Sequence, residues 1–208
     1  MTRLLIVRHG LSMTNRGGRF TGQADIPLAE EGERQVERLS EWLLSRELPI
    51  DAVYASDLSR AKNTVLPTAR ALGLEVVTDR RLRELDVGEW YNRPFEEVQN
   101  EDPAFFAAYR AGKVSCPGGE SMHDVRLRTL EVLREIVARH GGETVLVGTH
   151  NGNVRSVAAE CRGLLPGEIS QVKGVENTSI TEVLVTEAGW EMRRYGAAEH
   201  LARADQNE

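Results

Sequence analysis

Short apolar runs rich in β-branched residues alternate along this chain with longer segments of helical periodicity. The run from Leu4 to Val7 is continuously apolar, as expected for a strand that is buried on both faces of a sheet. Val36, Leu39 and Leu43 recur at helical spacing, with Glu and Arg between them. This alternation predicts an α/β fold, a three-layer α/β/α sandwich in which a mostly parallel sheet lies between helices.

The same patterns give approximate boundaries for the elements. The predicted strands cover residues 3–8, 52–55, 74–77, 144–148, 179–186 and 190–195, and the predicted helices follow Ala29 and cover about 57–72, 121–141 and 153–161. The last two strands are joined only by Glu187-Ala188-Gly189, so we expect an antiparallel hairpin at one edge of the sheet. Aromatic residues in the less regular segment predict a short helical lid at about 90–118, inserted into a single domain that spans 1–208.

The composition is that of a soluble globular protein, with 40% hydrophobic and 28% charged residues. The net charge of -6 gives no general attraction to nucleic acids or anionic membranes, so we expect neither as a partner. The apolar run near the N-terminus is too short for a signal peptide or a membrane span. Two cysteines, Cys116 and Cys161, give no zinc-type spacing and no disulfide framework. We therefore expect a cytoplasmic protein with free thiols.

Polar side chains stand where several predicted strands end. Arg8 and His9 follow the first strand, Arg60 lies one turn into the helix after the second, and His150 follows the fourth. Glu84 lies shortly after the third strand. Each of these residues alone is more often structural or solvated than catalytic. Because ligands of open α/β sheets bind outside the carboxyl ends of the strands, their convergence there predicts a site for an anion.

This set of side chains suits the transfer of a phosphoryl group, which spreads negative charge over three oxygens as it moves. Arg8 and Arg60 can hold those oxygens with permanently charged, bidentate guanidinium groups. A neutral His9, kept unprotonated by the nearby arginines, can attack phosphorus and form a phosphohistidine. His150 can donate to an oxygen that gains charge, and Glu84 can protonate the leaving alkoxide. Because fixed cations hold the charge, we expect no metal and no other cofactor.

Six sequence blocks, in order along nearly the whole chain, resemble the signature of the histidine phosphatase superfamily, the phosphoglycerate mutase-like group. The blocks are Leu5-Ile6-Val7-Arg8-His9-Gly10 with Asn15, Phe20-Thr21-Gly22-Gln23-Ala24-Asp25-Ile26-Pro27-Leu28 with Gly32, Tyr54-Ala55-Ser56-Asp57-Leu58-Ser59-Arg60-Ala61, Leu82-Arg83-Glu84-Leu85-Asp86-Val87-Gly88-Glu89-Trp90, Pro117-Gly118-Gly119-Glu120-Ser121, and His150-Asn151-Gly152 with Arg155. An Arg-His-Gly triplet alone is a weak signal, whereas six blocks in the order of the family are a specific one.

The resemblance implies a role for each residue that matches a motif. It makes His9 the nucleophile and Glu84 the proton donor. The residues that it places on the phosphoryl group are Arg8, Arg60, Asn15 and His150. It places two further residues at the rim of the pocket, Gln23 and Asn151.

Three rim positions depart from the common pattern of the family. Leu11 and Ser12 stand where many members carry Glu or Gln and then Thr, and Asn151 stands where Gly is frequent. The chain retains the five residues assigned to the chemistry, Arg8, His9, Arg60, Glu84 and His150. The departures therefore predict an altered substrate preference rather than a loss of activity.

The block after the acid and the short lid resemble the phosphatase branch of the family. An open lid admits water to a phosphohistidine, whereas a mutase must exclude it. We therefore expect a phosphatase that hydrolyses a small phosphorylated metabolite. A phosphoglycerate mutase and a binding protein without turnover are the alternatives, and both a monomer and a homodimer are compatible with the sequence. The physiological ester is not defined by the sequence, although Phe95, Phe105, Phe106, Tyr109 and Arg110 of the lid are candidates to select it.

Overall fold

The computed structural model describes residues 1–13, 18–46 and 48–202. Within these residues six strands form a single sheet in the order β3-β2-β4-β1-β5-β6. The strands are β1 (Thr2–Arg8), β2 (Ala52–Ala55), β3 (Val76–Thr78), β4 (Thr144–Thr149), β5 (Ile180–Thr186) and β6 (Gly189–Ala197). β1 to β4 are parallel to one another, and β5 and β6 add an antiparallel edge. The predicted sheet is confirmed.

The longer helices cover both faces of this sheet. They are α1 (Glu30–Ser45), α2 (Ser59–Ala71), α5 (Met122–Arg139) and α6 (Asn151–Cys161). Successive residues of a strand point to opposite faces, which explains the continuous apolar run of β1. Leu4 and Ile6 pack with α5 and α6, while Leu5 and Val7 pack with α1 and α2. The three-layer α/β/α sandwich is therefore confirmed.

Short helices form the predicted lid above the carboxyl ends of the parallel strands. A 3₁₀ turn at Gly88–Trp90 precedes α3 (Phe95–Glu101) and α4 (Pro103–Arg110). Asp102 caps α4 by accepting a hydrogen bond of 2.9 Å from the backbone N–H of Phe105. Aromatic rings fill the space beneath these helices, and the Phe20 and Trp90 ring centroids are 5.1 Å apart. The lid thus has a small apolar core of its own, built on Phe20, Trp90 and Val98.

The starts of β3 and α6 are two of the predicted boundaries that differ from the structure. β3 begins at Val76 and not at residue 74, because the turn after α2 uses the backbone of Gly73 and Leu74. Gly73 has a φ of 69°, and the Leu74 N–H closes the helix end on the Ala69 carbonyl at 2.9 Å. α6 begins at Asn151 and not near residue 153. None of the helices in the described ranges has the length and apolar character that crossing a membrane requires.

Candidate active site

A cavity of about 340 Å³ lies at the carboxyl ends of the parallel strands. Its charged and polar lining includes Arg8, His9, Arg60, Glu84, Asn151 and Arg155, and its apolar wall includes Phe20, Phe95, Phe106 and Tyr109. Residues from separate strand ends therefore meet in one space, as the topology of an open α/β sheet requires. Within residues 1–13, 18–46 and 48–202, no three His, Cys, Asp or Glu side chains are grouped as a metal site would need.

His9 follows β1 directly and is only 5% exposed. Its backbone N–H donates to the Thr149 carbonyl at 2.8 Å, which fixes it to the end of β4. The ring Nδ1 lies 2.7 Å from the Gly10 carbonyl, an acceptor, so Nδ1 carries the ring proton and Nε2 keeps its lone pair. Burial lowers the pKa of His9 to about 3, and the charges of Arg60 and Arg8 act in the same direction. The imidazole is therefore a neutral base with Nε2 available.

Arg8 and Arg60 bring two guanidinium groups to the same cavity. Arg8 donates from Nη1 to the Val175 carbonyl, and its buried Nε has no partner within the described part of the chain. Arg60 is 2% exposed and donates to the carbonyls of Gly22 at 3.0 Å and Ala24 at 2.6 Å. Burial lowers the pKa of both groups from the ordinary value. Two cations held by carbonyls rather than by carboxylates can accept a dianion between them.

His150 is fully buried next to His9, with the two ring centroids 5.1 Å apart, and it is not among the described residues that line the cavity. Neither ring nitrogen of His150 has a hydrogen-bond partner among the described residues. Burial holds the pKa of His150 well below its usual range, with the charge of Arg60 as the next cause, so the ring is neutral. A buried imidazole N–H without an acceptor is unfavourable. An oxygen of a phosphoryl group on the neighbouring His9 would supply that acceptor.

Glu84 reaches the cavity from the loop after the 3₁₀ turn at Arg80–Leu82. Its Oε1 accepts from the backbone N–H of Leu85 at 2.9 Å and of Gly152 at 3.2 Å. Gly152 lies in the first turn of α6, where the helix dipole is positive. The Gly152 N–H also contacts Oε2, at a longer distance of 3.4 Å. Oε1 therefore has the two shorter contacts, and Oε2 is the oxygen better placed to carry a transferable proton.

The ion pair of Arg128 and Glu120 holds the loop that carries Glu84. Arg128 donates to three carbonyl oxygens of segment 81–84 at distances between 2.6 and 2.9 Å. Its Nε also donates to Glu120 at 2.8 Å, and Glu120 accepts from the Asp86 backbone N–H at 2.9 Å. The role of Arg128 leaves no local pattern in the sequence, because the carbonyl groups that it binds lie more than 40 residues away.

The remaining predicted residues occupy different places. Asn151 lines the cavity, and its Oδ1 accepts from the Val175 backbone N–H at 3.1 Å. Gln23 donates to the Glu84 carbonyl at 3.2 Å and is not among the described residues that line the cavity. Gln23 thus contacts the backbone of the acid and not the rim. Asn15 lies outside the described residues.

Residues 4–198 match the family model of the histidine phosphatase superfamily, branch 1. Phosphoserine phosphatase 1 of Hydrogenobacter thermophilus is 36% identical over 166 residues, which are 79% of this chain and 78% of that protein. Phosphoglycerate mutase-like protein 4 of Arabidopsis thaliana is 32% identical over 203 residues, 95% of this chain and 86% of that protein. The structure of a mycobacterial glucosyl-3-phosphoglycerate phosphatase has a TM-score of 0.85 and 29% identity, covering 94% of this chain and 98% of that one.

The class of the protein follows from these similarities and from the cavity, which a neutral histidine and two arginines line together. The chain belongs to the histidine phosphatase superfamily, and the resemblance found in its six sequence blocks is confirmed. It is an enzyme of the phosphotransfer type that this superfamily comprises.

Proposed function

We propose that this enzyme is a metal-independent phosphomonoesterase that hydrolyses small phosphorylated metabolites through a phosphohistidine at His9. The observation that carries the proposal is the state of His9, a buried neutral imidazole whose Nδ1 is fixed on Gly10 and whose Nε2 is unprotonated. Arg8 and Arg60 supply fixed positive charge in the same cavity, which is the role that a metal ion has in other phosphatases.

In the first step, the Nε2 lone pair of His9 attacks phosphorus, and the bond from phosphorus to the leaving oxygen breaks. Glu84 transfers its proton to that oxygen, so the products are an alcohol, the phosphohistidine and the Glu84 carboxylate. The positive end of α6 and the Gly152 N–H stabilise the carboxylate that forms. Arg8, Arg60 and the N–H of His150 hold the three equatorial oxygens as charge develops on them.

In the second step, the Glu84 carboxylate takes a proton from a water molecule whose oxygen attacks phosphorus. The phosphorus–nitrogen bond breaks, and inorganic phosphate leaves. His9 returns to the neutral form with its proton on Nδ1, and Glu84 is protonated again. The same carboxyl group thus serves as acid and then as base, as microscopic reversibility requires.

The proposed substrates carry a second anionic group besides the phosphate. Arg110 and Arg155 both line the cavity, and neither forms an ion pair within the described residues. Arg155 is held by the carbonyls of Val172 at 3.0 Å and Ile169 at 2.8 Å. Burial lowers the pKa of Arg155, and the charge of Arg110 lowers it further, so an anion between them would relieve the repulsion. A carboxylate is one group that could fill this position. Two similar proteins are named as a phosphoserine phosphatase and a glucosyl-3-phosphoglycerate phosphatase, and both of these esters carry a carboxylate beside the phosphate.

We also propose a domain organisation, an oligomeric state and a cellular location for this enzyme. We take residues 1–208 as one domain with residues 90–118 as its lid, acting as a monomer or homodimer and without nucleic acid or membrane partners. A cytoplasmic location is in keeping with Cys116 and Cys161, which are both free thiols.

The proposal is tested by phosphate release from a panel of esters in the presence of a chelator. Two matched pairs differ chiefly in a carboxylate, namely phosphoserine with phosphoethanolamine and 3-phosphoglycerate with glycerol 3-phosphate. An aryl phosphate and several sugar phosphates complete the panel. We expect chelator-resistant release that is fastest with the carboxylated member of a pair and is lost in His9→Ala.

A parallel assay of 2- and 3-phosphoglycerate interconversion distinguishes the alternatives. Interconversion without phosphate release would show that the enzyme is a mutase. The Arabidopsis relative is named as a phosphoglycerate mutase-like protein, which is the reason for including this assay. Binding of inorganic phosphate without turnover on any ester would favour a binding protein. Activity that the chelator abolishes would refute the metal-independent mechanism.

A further inference from the structure

A turn at residues 175–178 holds both members of the Arg8-His9 pair. The Thr178 N–H donates to the Arg8 carbonyl at 2.9 Å, and Asn177 Nδ2 donates to the His9 carbonyl at 2.8 Å. The Val175 carbonyl accepts from the Arg8 guanidinium. This turn therefore controls the backbone from which the His9 ring projects.

Thr178 adopts a backbone conformation that its side chain disfavours. Its φ is 57°, in the left-handed region that a β-branched residue rarely occupies. This conformation directs the Thr178 N–H toward the end of β1. Since the conformation is unfavourable on its own, other contacts must maintain it.

His200 provides such a contact from the far end of the chain. Its Nε2 lies 2.9 Å from Thr178 Oγ1, and both residues are buried, at 2% and 0% exposure. The Thr178 hydroxyl donates its proton to the Asn177 carbonyl at 2.7 Å, so the His200 Nε2–H is the donor to Oγ1. The His200 ring also packs near Trp42 of α1, with centroids 6.2 Å apart. His200 follows residue 198, where the match to the family model ends.

We propose that His200 is a positioning residue, which aims the Nε2 of His9 through the hydroxyl of Thr178 and the 175–178 turn. His200 contacts Thr178 through the hydroxyl group. Thr178 and Asn177 then bind the carbonyls of Arg8 and His9. The His9 ring itself is fixed by its Nδ1 on the Gly10 carbonyl. Displacement of the Arg8 or His9 carbonyl would rotate the His9 ring away from the phosphorus atom of the substrate. The inference rests on the proposed function, in which His9 is the nucleophile.

The test compares His200→Leu, which removes the donor at similar volume, with His200→Gln, whose amide nitrogen can replace Nε2. His140→Leu is the matched control, because His140 also bonds other side chains, Tyr54 at 3.0 Å and Glu143 at 2.6 Å. His140 precedes β4 and therefore lies at the opposite end of the sheet from the cavity. All variants are measured as full chains, at temperatures well below their Tm.

We expect His200→Leu to lower kcat by about 10- to 100-fold with KM changed less than about threefold, as a misaimed nucleophile predicts. His200→Gln should recover most of this loss, and His140→Leu should lower Tm and leave kcat unchanged. Nitrogen NMR of the histidine rings gives a readout that needs no activity, in which the His9 Nε2 resonance should move in His200→Leu and stay in His140→Leu. An unchanged kcat and an unmoved His9 resonance in His200→Leu would overturn the inference. An inactive parent would refute the proposed function, and the NMR comparison would still decide the role of His200.

Discussion

Replacement of Gly152 by alanine tests the geometry of the proton donor. A Cβ on Gly152 would lie 2.4 Å from Glu84 Oε1, where ordinary contact begins at 3.4 Å, so the carboxyl group must move by about 1 Å. The group that moves is the end of a flexible side chain, and the fold should tolerate the change. Alanine also has a higher helix propensity than glycine, worth up to about 1 kcal/mol. We expect Gly152→Ala to be as stable as the parent protein, or more so.

The expected effect on activity depends on the leaving group. A well-placed general acid raises the reaction rate by about 10²- to 10⁴-fold, and displacing it by about 1 Å can lower the rate by about 10²-fold. An alkyl phosphate releases a strongly basic alkoxide, so kcat/KM for phosphoserine should fall by about 100-fold in Gly152→Ala. An aryl phosphate releases a weakly basic phenolate, so its kcat/KM should fall less than about fivefold.

The assay is steady-state phosphate release from both substrates, analysed as kcat/KM, since that constant reports the steps up to the phosphoenzyme. Glu84→Gln should show the same leaving-group pattern with a larger amplitude. Gly141→Ala is the control, because a Cβ there meets nothing within 4 Å, and it should leave both constants unchanged. Equal losses on the two substrates in Gly152→Ala would exclude an effect through the Glu84 proton, because they would indicate damage to the phosphoryl site rather than to the acid.

Further predictions concern charge and pH. Arg110→Gln should lower kcat/KM about tenfold for phosphoserine but not for phosphoethanolamine, and Arg110→Lys should retain most of the preference. The kcat/KM–pH profile should show no His9 ionisation near pH 6.5, because the pKa of His9 is lowered to about 3. Burial, aided by Arg38, lowers the pKa of His200 to about 4, so the unfolded chain binds the extra proton between pH 4 and 6.5. The free energy of unfolding should therefore fall as the pH drops from 6.5 to 4, and this group contributes up to about 1.4 kcal/mol per pH unit. Urea titration at several pH values should show a shallower pH dependence in His200→Leu than in the parent protein. Arg128→Met should lower the free energy of unfolding by about 2 kcal/mol and should lower kcat as well, because it frees the loop that carries Glu84.

The sheet and its helices could be predicted because local patterns reflect their burial directly. The run of β1 is apolar at every position because alternate side chains enter two different cores. The site was placed at the strand ends by the same topology, which brings Arg8, His9 and Arg60 into one cavity. The sequence predicts that the arginines keep His9 neutral, whereas burial is the larger cause of its lowered pKa.

Contacts between distant segments could not be predicted in the same way. His200 lies in a polar tail that the sequence alone gives no reason to bury, and its partner Thr178 is 22 residues away. The pairing of Arg128 with segment 81–84 likewise depends on how α5 crosses that loop. The close approach of Gly152 to Glu84 joins residues 68 positions apart, and only the packing of α6 against the loop makes a side chain at position 152 displace the Glu84 carboxyl group.

Trapping the phosphoenzyme would show whether a phosphoryl group passes through His9. The enzyme is mixed with a good substrate, quenched within milliseconds under alkaline conditions that preserve phosphohistidine, and analysed by peptide mass spectrometry and phosphorus NMR. We predict an acid-labile phosphoramidate on His9 that forms and decays at rates compatible with kcat and is absent from His9→Ala. Phosphorylation of another residue, or turnover by His9→Ala at the rate of the parent enzyme, would exclude His9 as the nucleophile.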